Sequence, residues 1–136
     1  MSQCRECRKQ TKRSFYIYCS NRCQIDCQYK KYIQNWKNGL EDGNRGITAK
    51  TISKHLRRFL VEKYGNQCSR CGWCEKHPIT KRVPLEIDHI DGDAENNKEK
   101  NLRLVCPNCH ALTPNFRNLN YGKGRQWRIK YLKNLK

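Results

Sequence analysis

Eight of the chain's ten cysteines fall in close pairs: Cys4-x2-Cys7, Cys19-x3-Cys23, Cys68-x2-Cys71 and Cys106-x2-Cys109. Thiolates so spaced can share one ion from a tight turn, and two such pairs can present four sulfurs tetrahedrally, the closed arrangement of structural zinc. Four sulfurs leave no place for water, so zinc held this way staples chain segments together and does no catalysis. The first set encloses eleven residues between its pairs and the second encloses 34. Cys27 and Cys74 are left over. Cys27 follows Cys23 by one helical turn and could replace it as a ligand, or stay a free thiol. Between the second pairs lie Asp88, His89 and Asn101, and His110 follows directly after Cys109. An imidazole is the side chain that titrates nearest neutral pH and is a common metal ligand. Each of these residues taken singly has a plainer use: a structural histidine, a turn acid, a helix cap, a spare zinc ligand. Together, inside a zinc frame, they favour catalysis.

The elements that must position them read as a small α+β chain in four segments: 1–39, a linker over 40–50, 51–118 and a tail over 119–136. An amphipathic helix is expected from about Ile25 to Asn38, with Ile25, Tyr29, Tyr32, Ile33 and Trp36 on one face and Gly39 as its stop. A second is expected from about Thr51 to Tyr64, with Ile52, Leu56, Phe59, Leu60 and Tyr64 inward and Gly65 ending it. Val83, Leu85, Ile87 and Ile90 bracket Asp88-His89 as a strand that runs into a turn at Asp91-Gly92-Asp93. Residues 94–100 form a loop or short helix, and Leu102, Leu104 and Val105 a second strand. Cys109-His110 then opens a helix running towards Pro114. The local order is strand, loop, strand, helix, closed by zinc.

Asp88-His89, Asn101 and His110, set among LEIDHIDGD, NLRLVCPNCH and the two Cys-x2-Cys pairs, resemble the HNH endonucleases of the ββα-metal fold. The resemblance covers about residues 51–118. The first cysteine set with its helix resembles, less specifically, the zinc-finger module of small phage-type members. It implies a metal-dependent endonuclease acting on double-stranded DNA and leaving 5′-phosphate and 3′-hydroxyl ends. In that reading His89 is the general base, and Asp88 and His110 hold one divalent ion. Asn101 braces the loop that carries the base. The implied ion is Mg²⁺ or Mn²⁺, with Ni²⁺ or Zn²⁺ as further options, beside two structural Zn²⁺ on Cys68, Cys71, Cys106, Cys109 and on Cys4, Cys7, Cys19, Cys23. The rivals are a zinc-finger DNA-binding protein with an inactive site and an RNA-directed nuclease.

Charge points the same way. Lys and Arg number 29 against 12 Asp and Glu, a net +17, and such a balance favours a polyanion through release of its condensed counterions. A membrane surface would require a strongly apolar helical face, and none is evident. Arg57, Arg58, Arg117, Lys123, Arg125 and Arg128 are the expected DNA contacts, with Trp127, Tyr131 and Leu135 spaced for a short terminal helix. MSQCRECRKQ has no apolar core of a secretion signal, so a cytoplasmic location among reduced thiols is expected, in a bacterial or phage-infected cell. One site cuts one strand, so either a monomer or a DNA-bound homodimer is compatible with the sequence.

Overall fold

The computed structural model describes residues 2–46 and 51–121. The chain falls into two compact units, Met1–Asp42 and Gly43–Lys136.

In the first unit, helix α1 spans Asn21–Lys37. It begins four residues before Ile25, because the Ser20 hydroxyl accepts the Cys23 N–H and caps a turn that carries no apolar residue. Its inward face is Tyr29, Ile33 and Trp36, whereas Ile25 is half exposed and leaves the expected stripe. Before the helix, Cys4 opens a turn closed by Cys4 N–H to the Lys9 carbonyl (2.8 Å) and Arg8 N–H to the Cys4 carbonyl (3.0 Å). An ion pair between Glu6 and Lys30 ties that turn to α1.

In the second unit, helix α2 spans Lys54–Tyr64. It starts at Lys54 rather than Thr51 because buried Ser53 caps it, accepting the Leu56 N–H at 3.1 Å. Ile52 stays outside, bridged to Asn44. Gly65 ends the helix with φ 74°, a left-handed conformation that costs a residue without Cβ nothing. Strands β1 (Glu86–His89) and β2 (Leu102–Val105) pair antiparallel, with Glu86 opposite Val105, Asp88 opposite Arg103 and His89 opposite Leu102. β1 is shorter than the expected run from Val83 to Ile90. Pro84 has no N–H to give a ladder, and Ile90, 44% exposed, donates its N–H to Asn101 just past the sheet.

Helix α3 spans Pro107–Ala111, so it opens before Cys109 and stops short of Pro114. Proline at its first position loses no hydrogen bond, and the Cys106 sulfur accepts the Cys109 N–H as the cap. The core under the sheet is Cys68, Leu85, Leu104, Val105 and Cys106, with Trp73, Ile87 and Cys109 against it. Three of its members are cysteines, Cys68, Cys106 and Cys109, so the metal-ligand chemistry and the hydrophobic core occupy the same place. A core this small is marginal without a cross-link.

Candidate functional site

Cys68 and Cys71 leave α2 in a turn, and Cys106 and Cys109 flank the first turn of α3; their four sulfurs lie within 4.8 Å of one another. Cys4, Cys7, Cys19 and Cys23 form a second such group, with Cys23 and not Cys27 as the fourth member. Sulfur–sulfur separations are 3.4 Å (Cys7 to Cys19), 3.6 Å (Cys19 to Cys23) and 3.7 Å (Cys71 to Cys106). Zinc–sulfur bonds of about 2.3 Å place tetrahedral sulfurs about 3.8 Å apart, whereas a disulfide needs about 2.05 Å, so both groups fit an ion rather than a bridge.

The thiols also titrate as a metal site would. The Cys7 backbone N–H, helped by that of Cys19, holds Cys4 down at about 6 against its burial. Burial pushes Cys68 up, but N–H groups of Cys71, Cys106 and Arg70 outweigh it and bring the thiol to about 6. Contacts with Cys106 and Cys71 push Cys109 up to about 12, and Cys7 and Cys23 do the same to Cys19, also to about 12. In each group one thiol is thus lowered and another raised by its neighbours. Cys74 is an exposed free thiol, and Cys27 bonds to Tyr18, whose phenol is raised chiefly by that contact.

Above this clamp, β1 alternates its side chains. Glu86 and Asp88 meet His110 of α3, while His89, the last strand residue, meets Asn97. His110 Nδ1 lies 2.6 Å from Glu86 Oε2. A carboxylate only accepts, so Nδ1 carries the hydrogen and the lone pair of a neutral ring sits on Nε2. That Nε2 is 3.8 Å from Asp88 Oδ1. The other Asp88 oxygen takes the Arg103 Nε hydrogen bond at 2.6 Å, and Asp88 is 4% exposed. Two acceptors thus face each other, and ligands each about 2.0–2.2 Å from an ion can stand up to about 4.4 Å apart, so one cation fits between them.

The second histidine follows the same logic. His89 Nε2 lies 2.8 Å from Asn97 Oδ1, while the Asn97 amide nitrogen donates to Asn44 Oδ1 at 3.3 Å. With its oxygen turned to His89, Asn97 requires Nε2–H and leaves Nδ1 as the basic nitrogen. Buried Asn97 is pressed by Gly43, where an added Cβ would stand 2.8 Å from Asn97 Cβ and whose φ of +80° no larger residue adopts cheaply. Asn101 accepts the Asp91 N–H (3.0 Å) and donates to Asp91 Oδ1 (2.9 Å) and the Asn96 carbonyl (2.8 Å), closing the loop between His89 and Asn97. Burial raises the Asp91 carboxyl, but hydrogen bonds from Asn96, Asp93 and Asn101 and the nearby His89 outweigh it and lower it below the ordinary range. Replacing Asn97 by leucine should cut any turnover about tenfold to a hundredfold with substrate affinity kept, and aspartate, which keeps the acceptor, should keep most of it. Steady-state kinetics of both variants separates the two effects.

Four site residues escaped the sequence reading. Glu86 could have been found two positions before Asp88 on the same strand face, and Arg103 as the residue opposite Asp88. Asn97 and Asn44 carried no signal, since they sit in segments without periodicity. The expected DNA contacts are scattered: Arg57 donates to the Leu85 carbonyl (3.2 Å), Arg58 pairs with Glu62 (2.9 Å), and Arg117 lies over the Phe116 ring. Lys123, Arg125 and Arg128 lie outside the described residues, as does the expected terminal helix. His77 Nδ1 accepts two backbone N–H groups in its own turn, and His55 lies on α2.

Fold and site together define a small α+β unit in which a four-cysteine clamp holds a strand pair and a helix, with two histidines and a buried carboxylate at their junction. Residues 68–114 match the family model described as HNH endonuclease. The chain is also similar to the H-N-H endonuclease F-TflIV of Escherichia phage T5, 34% identical over 103 residues that make up 74% of this chain and 40% of that protein. The chain therefore spans about 40% of that relative's length. No solved structure matches. No helix among the described residues is long and apolar enough to cross a membrane.

Proposed function

We propose that the protein is a metal-dependent endonuclease that hydrolyses phosphodiester bonds of double-stranded DNA, with His89 as general base. The observation that carries this reading is the facing pair, Asp88 Oδ1 and His110 Nε2, both acceptors and 3.8 Å apart, with Asp88 next to His89 on β1 and His110 on α3. A divalent ion (Mg²⁺ or Mn²⁺, with Ni²⁺ or Zn²⁺ as further options) held by Asp88 and His110 would neutralise phosphoryl charge and stabilise the leaving 3′ oxygen. Glu86 holds His110 in the tautomer that offers Nε2. His89 Nδ1 takes the proton of the attacking water, because Asn97 occupies Nε2. Asn101 acts through the loop and touches no reacting atom.

The two cysteine groups hold structural Zn²⁺ in this reading. Arg57, Arg58, Arg117, Lys123, Arg125 and Arg128 contribute to a basic surface that follows phosphates, consistent with the net charge of +17. The protein acts on DNA in the cytoplasm of a bacterial or phage-infected cell, nicking as a monomer or breaking both strands as a DNA-bound homodimer. Incubating supercoiled plasmid with the purified chain and each divalent ion, then mapping the ends, tests the reading. Ion-dependent cuts with 5′-phosphate and 3′-hydroxyl ends are expected. Binding without cutting under every ion would leave a DNA-binding module, and faster cutting of RNA than duplex DNA would move the substrate to RNA.

A further inference from the structure

The loop between Cys7 and Cys19 holds three consecutive large apolar side chains in solvent: Phe15 is 70% exposed, Tyr16 41% and Ile17 50%. Single exposed apolar residues are ordinary, but adjacent ones on a short loop mark a contact surface. Four polar contacts fix the loop: Arg5 N–H reaches the Ile17 carbonyl at 3.0 Å, Tyr16 N–H the Arg13 carbonyl at 3.0 Å, and the Ser2 hydroxyl the Tyr16 carbonyl at 2.8 Å. The hydroxyl of buried Thr11 lies 2.8 Å from the Arg13 carbonyl. Phe15 and Tyr16 pack edge to face with centroids 4.9 Å apart, and the Arg13 guanidinium lies 5.9 and 6.0 Å from the two rings. Between this loop and the start of α1 runs a groove of about 560 Å³ lined in part by Lys12, Ile17, Ser20 and Gln24.

The charge around the loop is mostly positive, with Arg22 paired to Asp26 of α1. Residues 1–23 contain Arg5, Arg8, Lys9, Lys12, Arg13 and Arg22 against a lone acid, Glu6, which pairs with Lys30. Exposed rings beside cations complement a partner with flat apolar faces on an anionic backbone, as in single-stranded nucleic acid. In an intact duplex the neighbouring bases already cover each base face, so ring faces gain contact only where a base has left the stack.

We propose that Phe15, Tyr16 and Ile17 form a base-contacting edge that stacks on DNA bases outside the duplex stack, with Lys12 and Arg13 meeting the flanking phosphates. The choice of DNA rests on the nuclease reading above; the stacking itself rests on the loop. The test uses the full chain holding two equivalents of zinc and no free divalent ion (Mg²⁺, Mn²⁺, Ni²⁺ or Zn²⁺), so binding is read apart from cleavage. Affinity is measured for a single-stranded oligonucleotide, for the same strand with abasic sites along its length, and for a duplex, across a salt series.

Phe15→Ala/Tyr16→Ala should bind the intact single strand about five- to tenfold more weakly per ring lost, with the salt slope unchanged because no cation is removed. The abasic strand should already lack that affinity, so variant and abasic losses should not add. Phe15→Trp/Tyr16→Phe should restore binding, and unchanged zinc content shows that the loop remains folded. Unchanged affinity of the alanine variant, additive losses, or a larger loss on duplex than on single strand would overturn the proposal. So would a concentration-dependent dimer that the alanine variant abolishes, which would make the patch a self-association surface. If plasmid is never cut but binding follows the aromatic rings, the nuclease reading fails and this one stands; cutting without that dependence gives the reverse.

Discussion

His89→Ala should lower the rate of plasmid cleavage by about 10²- to 10⁴-fold, the range a positioned general base contributes. DNA affinity should hold, because the imidazole makes no phosphate contact in the proposed mechanism. Zinc content should hold too, since His89 belongs to neither four-sulfur group. The effect falls on this histidine because its two nitrogens are already divided: Nε2 lies 2.8 Å from Asn97 Oδ1, and Nδ1 is left to receive a proton. Adding free imidazole to the variant should recover part of the lost rate, because a small base can occupy the space the side chain leaves. Wild type and variant relaxing supercoiled plasmid at the same slow rate in Mg²⁺ or Mn²⁺ would falsify the assignment of the base.

Cys106→Ser should have the largest effect on stability. Cys106 is at once a member of the second sulfur group, the cap of α3 and part of the core under the sheet, 4% exposed. Structural zinc contributes about 10–16 kcal/mol in small finger peptides, against a total folding stability of about 5–15 kcal/mol for a domain, so losing the ion removes the fold of the Gly43–Lys136 unit rather than loosening it. Metal analysis should return about two zinc per wild-type chain and one per variant, and the variant's circular dichroism should lose the α2 and sheet signal.

Acid should act in the same direction as the mutation. Cys68 is lowered from 9.0 to about 6, so the stability its thiolate contributes is full above the unfolded value and is lost as pH falls through about 6. Cys109, raised to about 12, holds its proton through that range unless the ion displaces it, so protons compete with zinc at every pH below it. Zinc release followed by titration from neutral pH to about 5 should therefore track unfolding. Retention of zinc throughout that range would contradict the four-thiolate clamp.

Much of this site could be read along the chain because its chemistry is tied to spacing. Cys-x2-Cys and Cys-x3-Cys pairs can close on one ion only through local turns, and the turns are where the spacing placed them. That two strands flank the loop was legible from Val83, Leu85, Ile87 and Ile90 around Asp88-His89 and from Leu102, Leu104 and Val105, while their antiparallel register came from the fold. Helix starts were less legible. α1 and α2 begin at Ser20 and Ser53 caps, not at the first apolar residue, because a side-chain oxygen that satisfies an orphan N–H decides where a helix opens. The same holds for α3, where Pro107 and the Cys106 sulfur set the start ahead of Cys109.

The sequence by itself determined which atoms can do chemistry: eight paired sulfurs, two imidazoles, a carboxylate and a strongly basic balance, all set by residue type and local spacing. Tertiary structure alone decided how those atoms are held. Glu86 on His110, Arg103 on Asp88, and Asn97 with Asn44 behind His89 join positions between 8 and 53 residues apart in the chain. Such contacts follow from strand register and from the way the loop after β1 folds back, and neither leaves a periodic trace in the sequence. The physical reason is that a hydrogen bond between side chains selects a tautomer only when packing fixes both partners, and packing is a property of the folded chain.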